Sequence, residues 1–350
     1  VLESLTRLLQ ASEPLTEVQI CEALEQLVDE NVSVTVKADF LSGLARKGET
    51  SAEIAVFARE LRARAIRPSI NGRLRAGEIL DVVGTGGDRL STFNISTAAA
   101  LVASAAGVVV AKHGNRASTS SIGSADVLDA LGIPFDVGPE EAVRSLEEYG
   151  FAFFFAPRYH PAFKHIVPAR RLCAERGQAT IFNLLGPLLN PAGPSAMLVG
   201  VPRPELCEPL ARVLKELGVR RAMVVCGIAE DETGAMRHVD ELSPLGPTAI
   251  AEFYQEHALS ISTLRHDSFP IQPAKLKDLR GGDRQVNADI IRGIFAGTDR
   301  GPRRDAVLLN ASAALFVAGN VRSMIEGWER AEKVIDSGMA MAKLKQLSGQ

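Results

Sequence analysis

Residues 79–88 read Ile79-Leu80-Asp81-Val82-Val83-Gly84-Thr85-Gly86-Gly87-Asp88. The first half is apolar and β-branched, as a buried strand requires. The second half is rich in glycine, which lets a backbone approach a ligand closely and present amide donors in conformations other residues avoid. A helical pattern opens at Asn94-Ile95-Ser96-Thr97. Its N-terminus would carry a partial positive charge of about half a unit and unpaired amides, aimed back at the glycines. Strand, glycine loop and helix start are the opening unit of a parallel α/β sheet, with an anion expected at the strand's carboxyl end. A plain tight turn with Ser96 capping the helix would use the same residues, so the loop alone leaves both readings open.

Downstream, Val108-Val109-Val110 gives a second buried strand. It runs into Lys112-His113-Gly114-Asn115-Arg116-Ala117-Ser118-Thr119-Ser120-Ser121-Ile122-Gly123-Ser124. Two cations, a histidine, an asparagine and a run of hydroxyls thus follow a strand, where open α/β sheets bind ligands. Charge-assisted hydrogen bonds from such donors to phosphate contribute about 1.5–3 kcal/mol each. The residues after Gly123 open another helix. Further buried strands are expected at 151–155, 197–201, 222–225 and 249–254, with helices between them. Residues 2–66 instead read as helix after helix, with Leu5, Leu8, Leu9, Cys21, Leu24 and Leu27 at helical spacing. The expected fold is therefore α/β: a small N-terminal α-helical domain, a hinge near Pro68 and Gly72, and a large domain whose central, mostly parallel sheet is flanked by helices. Residues 270–284, rich in Pro, Lys, Asp and Gly, read as a solvated excursion between core elements.

The bulk properties narrow the function. Of 350 residues, 46% are hydrophobic and 23% charged, enough to bury a sizeable core. Lys+Arg 39 against Asp+Glu 42 leaves a net charge of -3, with no global positive field for a nucleic acid or an anionic membrane. A polyanionic small molecule would need a local site. Cys21, Cys173, Cys207 and Cys226 lack the close paired spacings of zinc or redox sites, so reduced thiols in a cytoplasm are expected. The longest apolar stretch, 97–111, is broken by Ser104 and Gly107 and is shorter than the roughly 20 residues of a membrane span. The start, Val1-Leu2-Glu3-Ser4, has no basic n-region and no small-residue cleavage site, so no secretory signal is expected.

Together the glycine loop, the stretch 94–97 and the loop 112–124 resemble the signature segments of the anthranilate phosphoribosyltransferase family, enzymes of tryptophan biosynthesis with the nucleoside phosphorylase/phosphoribosyltransferase type III fold. The likeness continues through His160-Pro161-Ala162-Phe163-Lys164 with Arg170, through residues 180–192 from Thr180-Ile181-Phe182-Asn183 to Leu189-Asn190-Pro191-Ala192, and through Asp240-Glu241-Leu242-Ser243 and Leu309-Asn310-Ala311. The resemblance implies transfer of the phosphoribosyl group of phosphoribosyl pyrophosphate to the amine of anthranilate, releasing pyrophosphate. It implies that Gly84, Gly87, Asp88, Thr92, Asn94, Ile95, Ser96 and Thr97 cradle the donor. Lys112, His113, Gly114, Asn115, Arg116, Ala117, Ser118, Thr119, Ser120 and Ser124 complete that cradle. Two Mg²⁺ ions are implied, held by Ser96 on one side and by Asp240 and Glu241 on the other, in keeping with a cation that prefers a few hard oxygens plus substrate phosphates. Gly84, Asn115, His160 and Arg170 would meet anthranilate, with the Arg170 fork facing its carboxylate. His113 and Arg170 are the side chains assigned to the chemistry, His113 as proton acceptor or binding donor. The division implied is residues 1–70, joined by helices near 160–190, against 71–350, in a homodimer.

Three departures from the family pattern stand out. Cys226-Gly227 replaces a His-Gly pair, and residues 228–238, with Glu230-Asp231-Glu232 as a competing acidic cluster, lengthen the approach to Asp240. Ala179 stands for an arginine, and Ile122 for a small or polar residue. Same-fold alternatives are a transferase for another arylamine and a pyrimidine nucleoside phosphorylase.

Overall fold

The computed structural model describes residues 1–88, 90–116, 122–255 and 257–349. Among the described residues eight strands form one sheet: β1 (Ile79–Gly84), β2 (Val109–Gly114), β3 (Phe151–Phe155), β4 (Ala196–Gly200), β5 (Arg221–Glu230), β6 (Met236–Val239), β7 (Thr248–Tyr254) and β8 (Ser260–Leu264). Their order is β3-β2-β1-β4-β5-β7-β8, with β6 paired to β5. The five strands from β3 to β5 are parallel, whereas β6, β7 and β8 are added antiparallel. A helix covers each crossover, as a parallel connection demands.

Burial explains the apolar runs. Alternate residues of one strand enter opposite cores, Leu198 one and Val199 the other. On one face lie the helices Ile95–Ala105, Ser124–Leu131, Arg284–Phe295, Pro302–Val317, Met324–Asp336 and Met339–Ser348. On the opposite face the helix Cys207–Glu216 packs together with the N-terminal bundle, Leu2–Gln10, Glu17–Val28, Val34–Lys47 and Ser51–Ala63. Thr16 and Thr50 each close a capping box at a bundle helix. The segment 160–190 is stitched to this bundle. The Val167–Glu175 helix shares its core, Lys37 donates to the His165 carbonyl at 3.0 Å, and Arg176 pairs with Asp39 at 2.8 Å.

Two features depart from the sequence expectation. Strands β6 and β8 carry no buried alternation, being largely exposed, and so leave no periodic signal. The stretch 270–284 is not a free excursion: Leu276 and Leu279 are buried, and it runs as a strap along the descending leg of the glycine loop. Phe93 N–H donates to the Leu279 carbonyl (3.1 Å), Gly281 N–H donates to that of Ser91 (2.9 Å), and Thr92 bridges Arg280. Two buried leucines among prolines and charges are too few to register as an element.

Candidate active site

The carboxyl ends of β1 and β2 and the turn after β6 enclose a cavity of about 240 Å³. Gly86 and Gly87 have φ of +69° and +95°, in the left-handed region that glycine enters without strain. Gly84 ends β1 in register with Gly200 at the end of β4. A Cβ on Gly84 would stand 2.5 Å from Asp240 Oδ2, and one on Gly200 1.5 Å from the Asp240 carbonyl oxygen. Two neighbouring strands without side chains at one level thus leave a notch, and the Asp240-Glu241-Leu242 turn fills it. There Gly86 N–H donates to Asp240 Oδ2 at 2.8 Å, and Ser96 N–H to Glu241 Oε1 at 3.2 Å. Asn310, buried on the Pro302–Val317 helix, grips the next residue twice: it accepts from Leu242 N–H (3.1 Å) and donates to the Leu242 carbonyl (3.0 Å).

The electrostatics of this turn are unfavourable as they stand. Burial, reinforced by the Asp88 carboxylate, pushes Asp240 up to about 7. Burial followed by the charges of Asp240 and Asp88 holds Glu241 well above the carboxylate range. Glu241 Oε2 and Asp88 Oδ2 are buried without a hydrogen-bond partner. Buried acceptors of this kind are costly unless a donor or cation meets them. The residues present therefore fit a divalent cation. Among the described residues no three His, Cys, Asp or Glu side chains form a ready metal cage. Two of the three carboxylates of the competing cluster are engaged elsewhere. Asp231 accepts from Thr233 and Ala235 and pairs with Arg237 at 2.7 Å, and Glu232 pairs with Arg280 at 2.9 Å, all in or beside the β5–β6 hairpin.

The cavity brings together Gly84, Asp88, Thr92, Asn94, Ser96, Thr97, Lys112, His113, Gly114, Asn115, Arg116, Ser124, Asp240 and Glu241. Gly86 and Asn115 line the same space. Ala117, Ser118, Thr119 and Ser120 lie outside the described residues. Ile95 differs from its expected part, since its side chain is buried in the core and its N–H donates to the Phe93 carbonyl at 2.7 Å. Ser96 does not cap its helix; the N-cap is Asn94, which makes no side-chain cap hydrogen bond. Gly87 is exposed at the rim. The Lys112 ammonium is buried and donates to the Val82 carbonyl, its pKa lowered by burial. Arg116 pairs with Asp126 at 2.6 Å and stacks on Phe135 at 4.8 Å.

His113 is the junction to a second compartment. Its ring meets His160 edge-on at 5.5 Å; His160 stacks on Phe163 at 5.1 Å, Phe163 meets Phe182 at 5.7 Å, and the Arg170 guanidinium lies over Phe182 at 5.4 Å. A row of flat rings leads from the glycine-loop cavity to a half-buried arginine. His113 Nδ1 faces the Gly186 carbonyl at 3.2 Å and His160 Nε2 that of Leu189 at 2.9 Å. Burial, with the neighbouring His160 second, pushes His113 down to about 3, and burial takes His160 to about 4. Both rings are therefore neutral near pH 7, and His113 Nε2 is buried without a partner. The geometry of this wall rests on Asn190, which donates to Asp81 Oδ2 (2.8 Å) and to the Ala111 carbonyl (2.7 Å). It thereby locks residues 186–190 to β1 and β2. Asn190, Asn310, Phe163 and Phe182 stand in the stretches that carry the resemblance but were given no role there, and Gly200 was not singled out, because a lone amide, glycine or ring has no spacing that marks a role.

The glycosyl transferase family model of the helical bundle domain matches residues 2–65, and that of the a/b domain matches residues 76–341. An anthranilate phosphoribosyltransferase of Methanocorpusculum labreanum is 45% identical over 327 residues, 93% of this chain and 91% of the relative. That of Symbiobacterium thermophilum is 45% identical over 346 residues, 99% of this chain and 96% of the relative. Among solved structures, anthranilate phosphoribosyltransferase from Thermus thermophilus superposes with a TM-score of 0.86 at 40% identity, covering 99% of this chain and 98% of that one. The Saccharomyces cerevisiae enzyme in complex with PRPP and Mg does so with a TM-score of 0.86 at 28% identity, covering 99% and 97%.

Proposed function

The chain belongs to the anthranilate phosphoribosyltransferase family, and on that premise we propose how its cleft moves the phosphoribosyl group of phosphoribosyl pyrophosphate onto the amine of anthranilate. The observation that carries the reading is the docking of Asp240 and Glu241 against the amides of Gly86 and Ser96, with Glu241 Oε2 and Asp88 Oδ2 left unpaired.

In this proposal the amides of 84–88, the start of the Ile95–Ala105 helix and the loop from Lys112 hold the phosphates and ribose. Asp240, Glu241 and Ser96 would hold Mg²⁺, as suits the donor set and the Mg-bound yeast relative. When bound, the ion would neutralise the pyrophosphate oxygens as charge develops on them, worth several kcal/mol. The protein's own share is alignment. Anthranilate would lie along the rings of His160, Phe163 and Phe182 with its carboxylate toward Arg170, whose half-buried guanidinium makes a strong partner for a planar anion. Holding two reactants in line can supply about 7–11 kcal/mol of the barrier. The arylamine is a neutral nucleophile at pH 7 and needs no strong base. With Nδ1 donating to Gly186, the neutral His113 would turn the lone pair of Nε2 toward the amine, orienting it as an acceptor.

We further propose that residues 1–70 with the segment 160–190 form one unit and the rest of 71–350 the other, in a cytoplasmic homodimer joined through the helices. Exposed Val18 and Val34 on that unit are compatible with such a contact, and a mass measurement in solution tests it. For the reaction, the test is anthranilate fluorescence. The signal should fall only when enzyme, phosphoribosyl pyrophosphate and Mg²⁺ are combined. No change at any concentration would overturn the assignment.

A further inference from the structure

A second cavity, of about 220 Å³, lies where the helical bundle hands over to the α/β domain. It is lined by Arg62 from the end of the Ser51–Ala63 helix, by Arg67 and Pro68 of the link, by Arg75 closing the short helix Gly72–Arg75, and by the turn Asn190-Pro191 with Gly193. It is not lined by the glycine loop or the acidic turn and shares with the cleft only Asn190, which braces the wall behind His113. Three arginines from three successive segments line it, and among the described residues no acidic side chain does.

Arg67 and Arg75 reach solvent, whereas Arg62 is half-buried. Arg75 Nη1 donates to the Gly193 carbonyl at 2.8 Å, and Arg67 reaches the Arg62 carbonyl only at 3.4 Å. The half-buried Arg62 side chain makes no hydrogen bond or ion pair with the described residues, and burial first, then the like charge of Arg67, lowers its pKa to about 10, with only the more distant charge of Asp81 opposing them. Of the acids around it, Asp81 is held by Asn190 and the His113 amide. Glu216 lines a neighbouring hollow with Arg59, Arg62 and Arg67. Other surface arginines of this chain have taken carboxylates, Arg59 with Glu17 and Arg220 with Glu78 among them. Withdrawing a guanidinium from water beside a like charge is unfavourable unless an anion meets it. Planar forks from several directions suit the oxygens of a tetrahedral phosphate.

We infer that this cavity binds a small phosphate-type oxyanion, which joins Arg62 of the bundle to Arg75 of the α/β domain across the 68–72 link. The anion supplies a counter-charge in direct contact, which Arg62 lacks, and fixes the angle between the two units. Free phosphate and a phosphorylated metabolite offer the same chemistry, and two probes separate them.

Hydrogen exchange is measured on the full chain with and without millimolar inorganic phosphate, and in parallel with ribose 5-phosphate. Phosphate should slow the amides of 66–77 and 192–195 at least threefold in the wild type. Stronger protection by ribose 5-phosphate would assign the site to a metabolite. The double variant Arg67→Gln/Arg75→Gln changes exposed side chains and should keep its melting temperature, losing this protection while phosphate still protects 84–88 and 112–116. Link amides that exchange equally with and without either probe, or protection retained in the variant, would overturn the inference. The cleft amides are read separately, so failure of the catalytic assignment leaves a different signature.

Discussion

At the scale of single residues, the buried histidines make a sharp prediction. With His113 pushed down to about 3 and His160 to about 4, neither changes charge between pH 5 and 8. A pH profile of kcat/KM for anthranilate should show no limb near 6.5, and a limb removed by His113→Asn would contradict the neutral ring. The carboxylates should behave oppositely. Asp240→Asn with Glu241→Gln is expected to abolish Mg²⁺-dependent turnover, whereas Glu230→Gln with Glu232→Gln should leave kcat within about twofold, since exposed groups and surface pairs contribute little. Sensitivity of the second variant would reassign the metal. Residue types with a chemical label, the glycines, Lys112 and the Asp-Glu pair, were legible in the sequence. Asn190 and Asn310 acquire meaning only when partners 109 and 68 residues away are folded against them.

At the scale of elements, the acidic turn depends on what lies beneath it. Gly200→Ala would drive a methyl into the Asp240 carbonyl, and a misplacement of about 1 Å can cost roughly 10²-fold in rate. The expected result is a Mg²⁺ requirement and a kcat both changed, with the melting temperature lowered by only a few degrees. An unaltered Mn²⁺ affinity, read by electron paramagnetic resonance, would show that the notch does not position the turn. Asn310→Leu leaves the Leu242 N–H and carbonyl unpaired in the core, a loss of about 1–3 kcal/mol per group. Chemical denaturation measures it. The parallel core strands were readable because burial on both faces makes them continuously apolar. Strands β6 and β8 were not, because exposed edges tolerate Arg, His and Ser. The strap at 277–281 was hidden for a related reason, since it is held by backbone hydrogen bonds that no side-chain pattern encodes.

At the scale of the whole molecule, the cleft and the stability of the fold are linked through protons. Asp240 and Glu241 have native pKa values raised above those of an unfolded chain. Between about 4 and about 7 the metal-free native state therefore holds protons that the unfolded chain has lost, and its stability should fall as pH rises through that window. A divalent cation should reverse the trend, raising the melting temperature more at pH 8 than at pH 5. Equal increments at both values would argue against these carboxylates as its seat. A helical bundle followed by an α/β part was legible from the change of periodicity, whereas the joining of 160–190 to the bundle came from the family resemblance alone, because covering a neighbour and covering a sheet demand the same apolar stripe. The bond from Gly86 to Asp240 spans 154 residues, which sets a schedule for synthesis. A nascent chain displays its glycine loop and basic loop long before the ribosome has made the acidic turn. On the metal assignment proposed above, the growing protein gains its cation seat only after the acidic turn has been made.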